Sequence, residues 1–486
     1  MKSAAAVATA GFDLVVRGGR VFADGRLQDL NVGVRDGRVA ALSATPLAGT
    51  TVLDAAGKLV LPGGIDVHCH IAQTTSTGAT TADGFYDATV GAAFGGTTLV
   101  MPFAAQHRGQ SLRASVAAYR ERAAGRAVID YAFHMIVTDP TPTVLETELP
   151  ELAAQGFTSV KLYMTYDALR LDDRQLLETL LHARRLGVVP MIHAESHDMI
   201  NWLAERLLAL GYRHPRHLAH ARPALAEREA TDRALGMAEL LDIPVFIVHV
   251  SSAAAAGQIA RAQRAGLTVH AETCPQYLLL TEHDLDRPFH EAVKYCCSPP
   301  PRLAGDHAAL WDGLRNGLFA CFSSDHSVFH LDGPHGKRKG GANTPFDRVP
   351  YGLPGLETRL PLLFSEGVAR GRLSLERFVE LSAAGPARIF GLAGRKGAIA
   401  PGADADLVLW DPQARTTLSA DSLHDGAGYT VYEGTEVHGL PVTTICRGRL
   451  ICHEGRLLAA PGHGELIACE RVAEVGARPA PAPWLA

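Results

Sequence analysis

Two histidines, His68 and His70, stand one residue apart at the end of Leu61-Pro62-Gly63-Gly64-Ile65-Asp66-Val67-His68-Cys69-His70. In an extended strand successive side chains face opposite ways, so both imidazoles project to one side and Cys69 to the other. Neutral imidazole is the commonest protein ligand for transition metals, which makes the pair half of a metal site. The same tripeptide also serves as a pair of satisfied surface histidines, so further ligands must come from elsewhere. Three candidates close apolar runs: His193 after Val188-Val189-Pro190-Met191-Ile192, His249 after Val245-Phe246-Ile247-Val248, and Asp325 after Phe322-Ser323-Ser324. A lone histidine ending a strand is more often a hydrogen-bonded core residue. Four histidines and an aspartate at four strand ends point instead to one shared centre.

Lys161, in Ser159-Val160-Lys161-Leu162-Tyr163-Met164, is out of place in an apolar run. Burying its charge unpaired would cost several kcal/mol, so its pKa would fall instead. A neutral lysine amine can take up carbon dioxide as a carbamate, an anionic oxygen ligand able to bridge two cations. The other reading is a lysine at a barrel mouth paired with a carboxylate such as Asp167. The carbamate is favoured, because two metals about 3.5 to 4 Å apart need a bridging anion.

The elements that must position these groups alternate. Eight apolar runs, 65–70, 97–103, 129–137, 158–164, 188–194, 244–250, 268–273 and 319–324, are separated by helical patterns, among them 111–124, 172–186 and 226–241. The last of these helices carries Glu227 and Glu229 in its first turns. Strand and helix alternating over about 260 residues, with no Gly-rich phosphate loop after the first strand, predicts a closed (β/α)8 barrel whose chemistry lies at the strands' C-terminal ends. Both flanks read differently. Short strands with Gly and Asp-Gly turns between 12 and 60, and a similar texture at 406–410 and 443–451, predict a small antiparallel β-sandwich built from both chain ends. The expected domains are 1–60 with 395–465, a barrel at 61–394, and a tail at 466–486.

Composition narrows the partners. The chain of 486 residues is 47% hydrophobic and 20% charged, with a formal charge of -5 and no long basic run, which speaks against nucleic acid. No apolar run approaches the roughly 18 to 20 residues of a membrane span. The Ala4–Ala8 stretch is too short for a secretory signal. Eight cysteines without framework or zinc-ribbon spacing fit a reducing cytoplasm.

At these residues the chain resembles the cyclic amidohydrolases, and most closely their hydantoinase/dihydropyrimidinase branch. The resemblance extends through nearly the whole sequence, over Pro62–His70, Ala92–Thr98, Val128–Met135, Lys161–Tyr166, His193–Glu195, His249–Ser251, Glu272–Tyr277, Cys297–Pro300 and Ser323–His326. It implies a binuclear centre of two divalent ions, usually zinc: His68 and His70 on the buried metal, His193 and His249 on the second, carboxylated Lys161 and a hydroxide bridging, and Asp325 completing the first. It implies hydrolysis of a small cyclic amide by that hydroxide, with Asp325 as general acid/base and Tyr166, five residues after the lysine, donating to the oxyanion. Ser298 would hold the cyclic amide through its main chain. Relatives are commonly homotetramers.

Two departures bear on substrate. Dihydroorotase-like relatives grip a carboxylate with an arginine two residues past the second histidine; here that residue is Ala72, which disfavours an anionic substrate. The branch's usual Pro-Asn-Gly is Pro350-Tyr351-Gly352, a largely main-chain contact whose new side chain can reshape the pocket. A 5-substituted hydantoin or dihydropyrimidine, opened to an N-carbamoyl amino acid, is the leading substrate class. Allantoinase or cyclic-imide hydrolase is the alternative, and retention of all six ligands argues against a non-catalytic scaffold. Residues 73–81 could form a lid or an ordinary connection, and the Ala/Pro-rich 477–483 an arm onto a neighbour or a disordered end.

Overall fold

The computed structural model describes residues 11–74, 79–472 and 475. The expectations for 4–8 and 477–483, and for the centre of the 73–81 segment, lie outside them.

All eight apolar runs become parallel strands of one barrel: Gly64–Cys69, Thr97–Ala105, a third in two pieces (Asp130–Tyr131 and His134–Ile136), Ser159–Tyr163, Val189–His193, Val245–Ile247, Val269–Thr273 and Cys321–Phe322. They pair in chain order from first to last. The seam between last and first strands lacks a regular ladder. It is closed by Asp325 N donating to His68 O (2.9 Å) and His70 N to His326 O (2.6 Å). Deeper in, the fully buried Arg359 donates to the carbonyls of Ile65 (3.2 Å) and Phe322 (2.6 Å) and to Thr97 Oγ1 (3.0 Å), and pairs with Asp66 at 3.3 Å.

The predicted helices appear at Leu112–Ala123, Asp173–Leu186 and Ala224–Leu241. The second has its ends written in sequence: Asp172 caps Gln175 N at 2.8 Å, the Gln175 side chain returns the bond, and Gly187 closes the helix at φ +67°. In the third, Glu227 does not face solvent at a helix start. It is buried, accepting from Ser251 N at 2.8 Å and pairing with Arg302 at 3.1 Å.

Outside the barrel there are two sheets. One runs Arg38–Ser43, Asn31–Arg35, Phe12–Arg17, Gly49–Asp54; the other runs Arg456–Leu457, Arg449–His453, Glu436–Cys446, Leu407–Thr417, Leu59–Pro62, Arg20–Ala23, Arg26–Asp29. Leu14, Val16, Val32, Val34, Val39, Leu407, Leu409 and Ile445 are buried in one apolar cluster that joins segments far apart in sequence. The expected purely antiparallel pattern needs correction, because Phe12–Arg17 pairs parallel with Gly49–Asp54 and Leu59–Pro62 parallel with Arg20–Ala23. The intervening hairpin over 31–43 acts as the crossover a parallel pair requires. The 443–451 stretch is folded over at Arg447 and Gly448, both with positive φ (45° and 73°).

All eight cysteines are free, buried thiols. Burial raises their pKa values from an ordinary 9, to about 12 at Cys296 and Cys469 and about 11 at Cys452. Thiols of the unfolded chain ionise near 9 while these stay protonated, so their contribution is complete below pH 9 and is lost as pH rises toward the folded values. Under reducing conditions the urea midpoint should therefore fall steadily from about pH 8.5 to about pH 10.5. A midpoint that does not move over that range would contradict it.

Candidate metal centre

The six expected ligands meet at the C-terminal mouth of the barrel. His68, in the last turn of pleat of Gly64–Cys69, is fully buried, and His70 lies just beyond it; Cys69 between them packs into the apolar core. Asp325 Oδ1 stands 3.2 Å from His68 Nε2 and 3.6 Å from His70 Nε2. Lys161 Nζ is 3.1 Å from the same His68 nitrogen, and His193 Nδ1 faces His249 Nε2 at 2.7 Å. The His68 and His249 rings, 5.3 Å apart between centroids, join the two halves. Tyr166, His249 and Asp325 all have positive φ (71°, 38° and 50°), a conformation non-glycine residues seldom adopt and one that collects at functional sites.

The ring nitrogens are sorted by their partners. His68 Nδ1 is bound to the Glu272 carboxylate, His70 Nδ1 to Gln73 Oε1 at 2.7 Å, and His193 Nε2 to Glu195 Oε2 at 2.7 Å. That leaves His68 Nε2, His70 Nε2, His193 Nδ1 and His249 Nε2 turned toward one another. Burial drives the imidazole pKa values down, His70 to about 3, His193 to about 4, and His68 and His249 well below the ordinary range. These rings are neutral at pH 7, the protonation state with a free lone pair for a cation. The ligand atoms of His68, His70 and Asp325 lie within 4.8 Å of one another, and the donor set of imidazole nitrogens with a carboxylate oxygen fits a divalent transition metal.

Lys161 is fully buried, with its ammonium over the Phe103 ring at 4.7 Å. Burial lowers its pKa, against the pull of Glu272 and Asp325. It is not paired with Asp167, whose carboxylate is 91% exposed and lies 3.4 Å from His197 Nε2. Among the described residues no carboxylate comes within 4.0 Å of Lys161 Nζ. A second group of close donors, Asp130, Asp406 and Cys446, already holds a cation, since Lys396 Nζ lies 2.6 Å from Asp130 and 2.7 Å from Asp406.

Of the expected substrate residues, Tyr166 is at the mouth with its ring 5.4 Å from that of His193, and burial pushes its hydroxyl up to about 12. Ser298 and Tyr351 are on the same side. Ser298 Oγ is 2.8 Å from both Glu195 Oε2 and Arg222 Nη1, and the Tyr351 hydroxyl donates to Phe346 O at 3.2 Å. The flanks of the 73–81 segment are joined to each other, Thr81 N donating to Gln73 O at 2.9 Å and Gln73 N to Thr81 Oγ1 at 3.0 Å.

Four residues of this site were missed in the sequence: Gln73, Glu195, Arg222 and Glu272. Glu272 carried a readable signal, a charged residue inside the apolar run 268–273, the same anomaly that marked Lys161. Besides His68 it binds His249 N at 3.2 Å and Ser323 Oγ at 2.5 Å, so it holds two of the expected ligands, from two strands. Carboxylates behind metal-binding histidines are worth about 10- to 100-fold in metal affinity. Glu272→Ala should weaken zinc binding by about that factor in competition with a chelator, and unchanged affinity would contradict the arrangement.

The sequence matches the amidohydrolase family over residues 59–451. It is 41% identical to the D-hydantoinase of Rhizobium radiobacter over 454 residues, 93% of this chain and 98% of that one, and 41% identical to the D-hydantoinase of Ralstonia pickettii over 456 residues, 94% and 98% of the two chains. Its structure superposes on the dihydropyrimidinase of Brevibacillus agri with a TM-score of 0.92 at 37% identity, covering 96% of this chain and 99% of the other. The L-hydantoinase of Arthrobacter aurescens aligns with a TM-score of 0.85 at 29% identity, covering 94% and 100%. The TIM-type barrel, the gathered metal-ligand groups and these relatives agree, and the chain belongs to the metal-dependent amidohydrolase family, in its hydantoinase/dihydropyrimidinase branch.

Proposed function

We propose that the protein is a cyclic amidohydrolase that opens 5-substituted hydantoins or dihydropyrimidines to N-carbamoyl amino acids. The observation that carries this reading is the convergence of four neutral ring nitrogens, Lys161 and Asp325 at one barrel mouth in a chain 41% identical to two D-hydantoinases. His68, His70 and Asp325 would hold one divalent ion, His193 and His249 the other, and a carbon dioxide-derived carbamate on Lys161 both; zinc suits the nitrogen-rich set. When bound, the pair of ions lowers the pKa of water from 15.7 to about 7 and polarises the amide carbonyl.

The chain's own groups supply the rest. Asp325 Oδ1 takes the proton of the attacking water and delivers it to the ring nitrogen as the C–N bond breaks. Tyr166, kept protonated by burial, donates to the carbonyl oxygen as it gains charge. Ser298 spends its hydroxyl on Glu195 and Arg222, which leaves its main chain for the ring amide, and Tyr351 walls the same side. A neutral substrate fits this lining. Ala72 offers no cation, and Arg222 is already paired with Glu195 at 2.5 Å.

No helix among the described residues is long and apolar enough to cross a membrane. Eight unpaired thiols suit a reducing compartment, and we place the protein in the cytoplasm. We also place it in a homo-oligomer, a tetramer by resemblance, supported by Trp202 and Leu210 standing 60% and 70% exposed about one helix, His197–Ala209.

Zinc-loaded protein offered 5-substituted hydantoins, dihydrouracil, allantoin, succinimide and dihydroorotate should open the first two, seen as loss of ultraviolet absorbance, and leave dihydroorotate intact. Turnover of none would overturn the function. Preference for allantoin or succinimide would move it to the alternative class. Lys161→Ala should fall below about one metal ion per chain and lose activity, with partial recovery on adding a small carboxylic acid; full metal content in this variant would refute the bridge.

A further inference from the structure

Arg222 is a buried cation outside the ligand set, and its contacts divide between the two halves of the site. Its Nη1 donates to Glu195 Oε2 at 2.5 Å and to Ser298 Oγ at 2.8 Å. Its guanidinium carbon lies 5.0 Å from the Tyr166 ring centroid and 5.5 Å from that of Tyr351. Glu195 in turn holds His193 Nε2 at 2.7 Å and Ser298 Oγ at 2.8 Å. The side chain is 5% exposed, at the end of the short helix His217–Ala221 and just before Pro223. Its backbone is pinned as well. The carbonyl of Arg222 accepts from Arg302, which is itself held by Glu227 at 3.1 Å and Ser251 Oγ at 2.9 Å.

An arginine needed only to neutralise Glu195 would require none of these other contacts. A planar guanidinium can donate to two acceptors while its flat face stacks on aromatic rings, a geometry that a compact ammonium does not reproduce. All three residues read as lining the substrate ring, Tyr166 and Tyr351 by their rings and Ser298 by the hydroxyl behind its main chain, touch it, and the carboxylate it pairs with orients a metal-facing histidine. The expected effect of losing such an orienting contact is about 10- to 100-fold in activity.

We propose that Arg222 is the positioning residue that sets the substrate ring relative to the metal centre, holding Ser298, Tyr166 and Tyr351 in register with His193 through Glu195. This rests on the reading of the mouth as a cyclic-amide site. Both kcat and KM are then Arg222-dependent, kcat through the Tyr166 donor and KM through the Ser298 and Tyr351 side of the pocket.

The test is a cycle on the full-length, zinc-loaded protein: wild type, Arg222→Lys, Ser298→Ala and the double variant, assayed with 5-benzylhydantoin. Each is also assayed for metal content and, by calorimetry, for binding of the ring-opened N-carbamoylphenylalanine. Arg222→Lys keeps the buried charge, so it tests geometry rather than the folding cost of an orphaned Glu195. The expected result is full metal content, kcat/KM lowered about 10- to 100-fold, weaker product binding, and a double variant no worse than Arg222→Lys alone, since the Ser298 hydroxyl acts through Arg222. Wild-type kinetics and product affinity in Arg222→Lys, a loss matched by lost metal, or effects that multiply in the double variant would each overturn the assignment. A wild-type protein that opens no ring overturns the proposed function, whereas a turning-over wild type with an indifferent Arg222→Lys overturns this inference alone.

Discussion

A parallel barrel depends on the seam where its last strand meets its first, and here two main-chain bonds at the mouth are backed by buried side chains. Arg359 and Asp66, both fully buried, face each other at 3.3 Å between strands with no regular ladder. Such a pair is stabilising only when its remaining donors and acceptors are satisfied. Arg359 reaches two main-chain carbonyls and a threonine hydroxyl, while Asp66 Oδ1 accepts from His68 N and Ser324 N, each at 3.2 Å. The strand bearing His68 and the turn bearing Asp325 are thus tied to one carboxylate, which sets the separation of two facing donor atoms at the mouth.

Above that seam the barrel gathers groups whose charged forms burial disfavours. Burial depresses four imidazoles and the Lys161 amine and raises Asp325 and Glu272. Desolvation alone would be a poor reason to keep seven polar side chains together. Their arrangement makes sense as a set of donors in which the outward nitrogens of His68, His70 and His193 are occupied by carboxylates or an amide and the inward ones are aligned. The carboxylate partners, Glu272 and Glu195, differ in what lies behind them. Glu272 contacts other strand ends, whereas Glu195 continues to Arg222 and so to the pocket wall.

Much of this was legible in the sequence because strand-end residues are adjacent in the chain to the apolar runs that carry them. His68, His193, His249 and Asp325 announce themselves by closing such runs, and Lys161 by interrupting one. The contacts behind them were not legible for a physical reason. His68 and Glu272 are 204 residues apart and Ser298 and Glu195 103, and such contacts are fixed only by barrel closure. The flanking sheets were read too simply. A parallel pairing such as Phe12 with Gly49 leaves no local mark, and the Arg447-Gly448 turn uses an arginine at positive φ where Asn or Asp would have signalled it. The Lys161–Asp167 alternative fell on simple exposure, Asp167 being on the surface.

The seven-stranded sheet has a consequence for how the protein is made. Leu59–Pro62, which leads directly into the His68 strand, pairs with Leu407–Thr417, and that strand pairs with Glu436–Cys446. During synthesis the early strand leaves the ribosome with one edge open and must wait through some 340 further residues for its neighbour. The barrel strands and the Arg359 that closes their seam all precede residue 407, so the barrel can assemble first and carry the unpaired early strands as a waiting edge. Translation speed up to the 407–417 strand then governs how long that edge stays exposed to other nascent chains.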